Sequence, residues 1–113
     1  MGYRERNNPI VDKSFYFGCD IVRFSRVLKE RKEFEIATQL IRCGTSIGAN
    51  TRESQRGVST KDFKNKLGIA LKEADETSYW LDVIEETTMH IPDQLKERCE
   101  ELIKLLVAIL KNS

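Results

Sequence analysis

Nowhere in this 113-residue chain does an apolar run approach the roughly 18 residues that a membrane-spanning helix requires. The segment Met1 to Asp12 is polar and charged, with no secretory apolar core, so a cytoplasmic protein without membrane contact is expected. Only two prolines and six glycines are present, too few to punctuate many strands and turns. The three cysteines, Cys19, Cys43 and Cys99, are odd in number and widely spaced. They form neither a CxxC pair nor a disulfide framework. The one histidine, His90, has no cysteine at zinc-ligand spacing. A di-metal bundle site would need a Glu-x-x-His motif on two helices, which one histidine cannot supply. No Gly-rich phosphate loop, nucleophile elbow or HExxH motif is read. The expectation is a non-enzymatic protein with no cofactor, no metal and no catalytic residue.

What the chain does have is helix. It is 40% hydrophobic and 33% charged, and its length suits one domain. Residues 1–9 read as a flexible polar arm, followed by a helical domain over 10–113. After Pro9, the residues Phe17, Ile21, Phe24 and Leu28 recur at spacings of 4, 3 and 4, the stripe of an amphipathic helix. Asp12 suits its first turn, and Lys29, Arg31 and Lys32 suit its C-terminal end. A second helix starts near Glu33 to Glu35 and runs to about Arg56, its inner stripe being Ile36, Leu40, Cys43 and Ile47. Ser59 or Thr60 caps a third, with Asp62 in its first turn. Its heptad runs Phe63, Leu67, Ala70, Ala74, Thr77, Leu81, Ile84 and ends near Thr87. His90-Ile91-Pro92 is the break. A fourth helix follows, with Pro92 in its first turn and Leu95, Cys99, Leu102, Leu106 and Ile109 inward. Short connections predict an all-α, up-and-down antiparallel four-helix bundle.

Two helices carry more apolar surface than one bundle uses. From Leu102 to Leu110 only Lys104 is not apolar. A helix apolar nearly all round is covered on more than one side. Beside the heptad of the third helix runs a second stripe, Ile69, Glu73, Glu76 and Trp80, with Tyr79 next to it. Tyr and Trp are typical interface anchors, so these five residues are the expected contact between copies of the chain.

The segment Gly44-Thr45-Ser46-Ile47-Gly48-Ala49-Asn50 is a poor helix former. Small residues in mid-helix allow another backbone to come close, and Asn50, if buried, needs hydrogen-bond partners. The run from Gln39 to Ser54 that contains it resembles the signature of the four-helix-bundle family first named for open reading frames in intervening sequences of bacterial 23S ribosomal RNA genes. The resemblance extends through Asp62-Phe63, Lys66 to Thr77, Tyr79-Trp80-Leu81 and, at the start, Asn8 to Phe15. Glu53 is followed by Ser54 where the common family form has glycine, and Gly48 stands where that form has proline. The resemblance implies a ring-shaped homopentamer of four-helix bundles. It also implies kinship with the accessory variability determinant of diversity-generating retroelements, a basic pentamer that binds nucleic acid and a reverse transcriptase.

Net charge is +1, which excludes a strongly basic protein. Its distribution is uneven. Residues 1–66 carry 14 Lys and Arg against 8 Asp and Glu, a balance of +6; residues 67–113 carry 5 against 10, a balance of −5. Arg42, Arg52 and Arg56 fall within about 80° around the second helix, at 100° per residue. Lys61, Lys64 and Lys72 cluster likewise on the third. Such stripes can neutralise phosphates, or can be a solvated face, or can pair with acids across a subunit boundary. Asn50 and Glu53 are expected to be structural, satisfying one another, the glutamates of the third helix or Arg42. Two functions follow. One is an oligomeric nucleic-acid-associated protein, binding RNA or DNA as accessory to a nucleic-acid-processing enzyme. The other is a protein–protein scaffold with no nucleic-acid role.

Overall fold

The computed structural model of the chain describes residues 8–113, and the first seven residues of the expected arm lie outside them. Four helices make up the described chain: α1, Pro9–Glu30; α2, Phe34–Ser54; α3, Thr60–Thr87; α4, Asp93–Lys111. Among the described residues there is no strand, and no helix is long and apolar enough to cross a membrane. Each helix packs on its neighbours in sequence, and α4 closes the ring of helices against α1, while the diagonal pairs stay apart. The α1–α2 and α2–α3 seams are tight and the α1–α4 seam is the most open. The longest dimension, 43 Å, is set by α3, whose 28 residues rise about 1.5 Å each.

The expected stripes form the core. Phe17, Ile21 and Leu28 of α1, Leu40 and Ile47 of α2, Leu67, Leu81 and Ile84 of α3, and Leu102 and Leu106 of α4 are fully buried. Each such side chain contributes roughly 1.5–3 kcal/mol by leaving water. On α2 the buried arc is shifted from the expected one: Ala37 and Gly44 are inside, and Ile36 sits half-buried at its edge, near Trp80.

The connections follow from local chemistry. Ser59 caps α3, its Oγ accepting from the Asp62 backbone N–H at 3.1 Å, as the Ser-x-x-acid spacing predicts. Pro92 stands just before the first turn of α4, one position earlier than expected. At the end of α1, Glu33 N–H donates to Leu28 O and Lys32 N–H to Lys29 O, both at 2.9 Å. This paired closure needs a left-handed residue, and Lys32 takes it with φ 65°. Left-handed backbone costs a side-chain-bearing residue on the order of 1 kcal/mol, which glycine avoids. Lys32→Gly is therefore expected to raise unfolding free energy by about 1 kcal/mol, read from urea denaturation midpoints at unchanged slope; a lower midpoint would contradict this account of the turn.

At the α1–α2 crossing the backbones meet. A Cβ on Gly44 would lie 2.8 Å from both Cγ1 and Cγ2 of Ile21; one on Gly48 would lie 3.0 Å from the backbone O of Ser14. The small residues expected to admit another backbone do so, and α1 is what enters.

Candidate nucleic-acid interface

The ion pairs between α2 and α3 show how the basic residues are used. Lys66 meets Glu53 at 2.7 Å near the α2–α3 connection. Farther along the seam, Arg42 meets Glu73 at 3.4 Å and makes its closest contact with Glu76. The Trp80 indole N–H donates to the same Glu76 carboxylate at 3.2 Å, and Tyr79 packs edge-on against Trp80 with ring centroids 5.3 Å apart. Burial pulls the Arg42 guanidinium down, but Glu76 and Glu73 outweigh it and leave its pKa raised. One basic residue and four residues assigned to self-contact thus form a single network within one chain, on the α2–α3 seam.

Arg52 goes the other way. Its guanidinium carbon lies 5.8 Å from the centroid of the Phe15 ring on α1. Arg56, Lys61, Lys64 and Lys72 make no ion pair among the described residues. Lys64 is half-buried, and the other three are exposed. Arg56, Lys61 and Lys64 lie at the end of the bundle where α2 passes into α3, accompanied by Arg52 and Lys66 and opposed by Glu53 and Asp62. At the far end the α3–α4 connection carries Asp82, Glu85, Glu86, Asp93 and Glu97 with Lys96 and Arg98, and the α1–α2 turn beside it carries Lys29, Arg31 and Lys32 with Glu30, Glu33 and Glu35. The basic residues thus dominate the α2–α3 connection, while the far end is mixed in charge.

Asn50 and Glu53 do not meet. Asn50 Nδ2 donates to Ser46 O, one turn back in its own helix, at 2.9 Å, and Glu53 pairs with Lys66. Of the expected self-contact residues, Ile69 and Tyr79 are exposed, at 42% and 59%, and Trp80 is half-buried. On α4 Val107 and Ala108 are exposed, and Leu105, Ile109 and Leu110 are half-buried.

Gly44 to Gly48 spell G-x-S-x-G, but that motif acts from a strand-to-helix turn, and here it lies within α2. The Ser46 hydroxyl donates to Arg42 O at 2.6 Å. Cys43 and Cys99 are buried. Burial raises both thiols, Cys99 to about 12, so they stay protonated as core groups. Cys19 is half-buried.

His90 sits in the α3–α4 connection with Nδ1 3.0 Å from Glu85 and Nε2 3.5 Å from Asp93. The hydrogen bond to Glu85 raises the histidine, and the same bond, with one from the Ile91 N–H, lowers Glu85. The histidine's contribution is complete below its ordinary value of 6.5 and is lost as pH rises through the raised one. That of Glu85 is complete above 4.5 and is lost as pH falls through the lowered one. The difference in Tm between the wild type and His90→Asn is expected to be largest between those two values and to shrink as pH rises through the raised histidine value. A difference that grows with rising pH would contradict the pairing.

Sequence reasoning missed Phe15. It is half-buried, outside the core cluster, and lines a groove between α1 and α2 across from Arg52. The two residues are 37 positions apart, so no local pattern of aromatic and basic residues announces them.

Comparison with known proteins places this geometry. The family described as 23S rRNA-intervening sequence protein matches residues 6–108. The chain is similar to a crystal structure of a protein of unknown function from Bacteroides thetaiotaomicron, assigned to the S23 ribosomal protein family. The two are 43% identical over 90% of this chain and 98% of that one, with a TM-score of 0.84. None of the curated proteins matches.

Proposed function

The chain belongs to the 23S rRNA-intervening sequence protein family, and from that premise we propose that it is a non-enzymatic, self-associating helical bundle that binds RNA through its basic end. The observation that carries the reading is the group Arg56, Lys61 and Lys64, charged and without an ion-pair partner among the described residues. Cations left unpaired on one end are the groups that can release counterions from a phosphate chain. The family's name supports RNA as the first polyanion to try. Self-association is supported by Ile69, Tyr79 and Val107, exposed on α3 and α4, and a ring of five is what the family resemblance implies. A ring would repeat the basic end around its axis, multiplying weak contacts. Service to an RNA- or DNA-handling enzyme fits a protein with contacts to offer and no chemistry of its own.

Mixed-sequence single-stranded RNA is expected to be retained at about 50 mM salt and to be released steeply by about 200 mM. Light scattering is expected to give a multiple of the 13.1 kDa chain mass. No retention at the lower salt would overturn the RNA reading, and a clean monomer at high micromolar concentration would overturn assembly. A protein–protein scaffold is the second reading, favoured by the same exposed Ile69 and Tyr79. A protein partner recovered after nuclease treatment would favour it.

A further inference from the structure

α4 is held to the bundle differently from the other three helices. It hides four side chains, Leu95, Cys99, Leu102 and Leu106, the fewest of the four helices. Its seam with α1 is grooved. One groove of about 420 Å³ runs past Tyr16, Phe17 and Leu102, and a second of about 290 Å³ runs past Phe24, Val27 and Leu95. The two join at Asp20, Arg23 and Arg98, which line both. Two ion pairs cross this seam, Lys13 to Glu101 at 2.7 Å and Arg98 to Asp20. Lys13, Glu101 and Arg98 are about half exposed, so both pairs are weak and are screened by salt. On the other side Lys96 reaches Ser78 Oγ at 2.9 Å and the Asp82 carboxylate.

The other three helices are joined more firmly. α1 and α2 meet so closely that an added Cβ at Gly44 or Gly48 would crowd Ile21 or Ser14, and Arg42 and Lys66 tie α2 to α3. The connection into α4 has a fixed part and a free part. The N–H groups of Thr88 and Met89 donate to Ile84 O at 2.9 and 3.1 Å, and the Ile91 N–H donates to Glu85 at 3.1 Å. The chain is therefore fastened to α3 as far as Ile91. Pro92 follows, extended at ψ 131°, and α4 begins at Asp93. The least anchored helix thus starts just beyond a fixed point. Elements with few buried contacts are the ones that open below the limit of global unfolding. We propose that α4 is a strap, opening as a unit about Pro92 while α1, α2 and α3 stay folded, with ionic strength setting how often it opens. Opening uncovers Phe17, Phe24 and Ala74, which lie beside Leu102, Leu95 and Cys99 in the closed chain.

Native-state hydrogen exchange on the full chain tests the strap. The backbone amides from Cys99 to Leu106 in α4 are expected to exchange about tenfold faster than those from Leu40 to Ile47 in α2. Their dependence on urea should be shallower, because less surface is exposed than in global unfolding. Raising sodium chloride from about 50 mM to about 500 mM should speed the α4 amides. Lys13→Gln together with Arg98→Gln should speed them about fivefold, the effect of two exposed ion pairs. Lys66→Gln separates local from global opening. It breaks a pair between α2 and α3 that survives when α4 opens. It should therefore speed the α2 amides about twofold and leave the α4 amides as they were. Equal rates and equal urea dependence in α2 and α4, or Lys66→Gln speeding both alike, would mean that α4 opens only with the whole bundle, and would overturn the strap. So would α4 amides as slow as those of α2 because a neighbouring copy covers them. An α4 rate indifferent to salt would overturn the ionic control.

Discussion

Gly44→Ala is expected to destabilise the bundle by about 2 kcal/mol, a drop in Tm of roughly 10 °C for a domain of this size. Two effects compete. Alanine is the better helix residue by about 1 kcal/mol, so propensity alone predicts a gain. Against that, the new methyl would sit 2.8 Å from two carbons of Ile21, which is itself fully buried. Ile21 is β-branched and has essentially one comfortable rotamer in a helix, so it cannot swing aside. Either the rotamer is forced or α1 and α2 separate, and separation opens the core between Phe17, Leu40 and Ile47. Overpacking of this kind costs typically about 1–3 kcal/mol beyond what repacking recovers. Gly68 is the internal control. A Cβ there meets nothing within 4 Å, so Gly68→Ala should show the propensity gain of about 1 kcal/mol with no penalty. Opposite signs at two glycines of the same fold isolate the crossing as the cause. The cycle with Ile21→Ala completes the case: removing both Cγ atoms should make Gly44→Ala cheaper than in the wild-type background, by a coupling of about 1 kcal/mol or more. Additive losses, or a stabilised Gly44→Ala, would mean the helices are not held at this distance.

That crossing was legible in the sequence because small residues in mid-helix have few other uses. The helices were legible for a related reason. Spacings of 3 and 4 in Phe17-Ile21-Phe24-Leu28 or in Leu95-Cys99-Leu102-Leu106 fix a face, and a face fixes a neighbour. The site was less legible. Arg42 and Arg52 are within about 80° on the wheel of α2, and the sequence reads them as one stripe. In a four-helix bundle, neighbouring helices also lie about a quarter-turn apart around any one helix. The same 80° therefore sends Arg42 to α3, against Glu73 and Glu76, and Arg52 to α1, over Phe15. Asn50 shows a second limit. A polar residue one turn after Ser46 can satisfy itself on its own helix, so its presence does not require a partner across the bundle. Nor could spacing find the groove beside Phe15, because its walls come from separate helices.

Arg56→Ala, Lys61→Ala and Lys64→Ala together are expected to weaken single-stranded RNA binding by about 500-fold at about 50 mM salt, but only about 30-fold at about 200 mM. The reasoning is ionic. Each cation that neutralises a phosphate releases counterions and contributes about 0.7 to the slope of log K against log salt for single strands. Three lost contacts remove about 2 from that slope. If the wild-type and variant lines converge near molar salt, the gap between them widens as salt falls. A loss of equal size at both salt concentrations would mean damage to the fold or to a non-ionic contact. Unfolding is a minor risk, since none of the three side chains has an ion-pair partner among the described residues. Arg42→Ala supplies the contrast. It also removes one positive charge, but that charge is already matched by Glu73 and Glu76 on the α2–α3 seam. Its loss should cost about 1 kcal/mol of stability, as for a partly exposed charge network, and should leave the salt slope near that of the wild type. If Arg42→Ala lowered the slope as much per charge as Arg56→Ala, the contact would depend on net charge alone. The basic end would then have no special standing as the place where RNA is held.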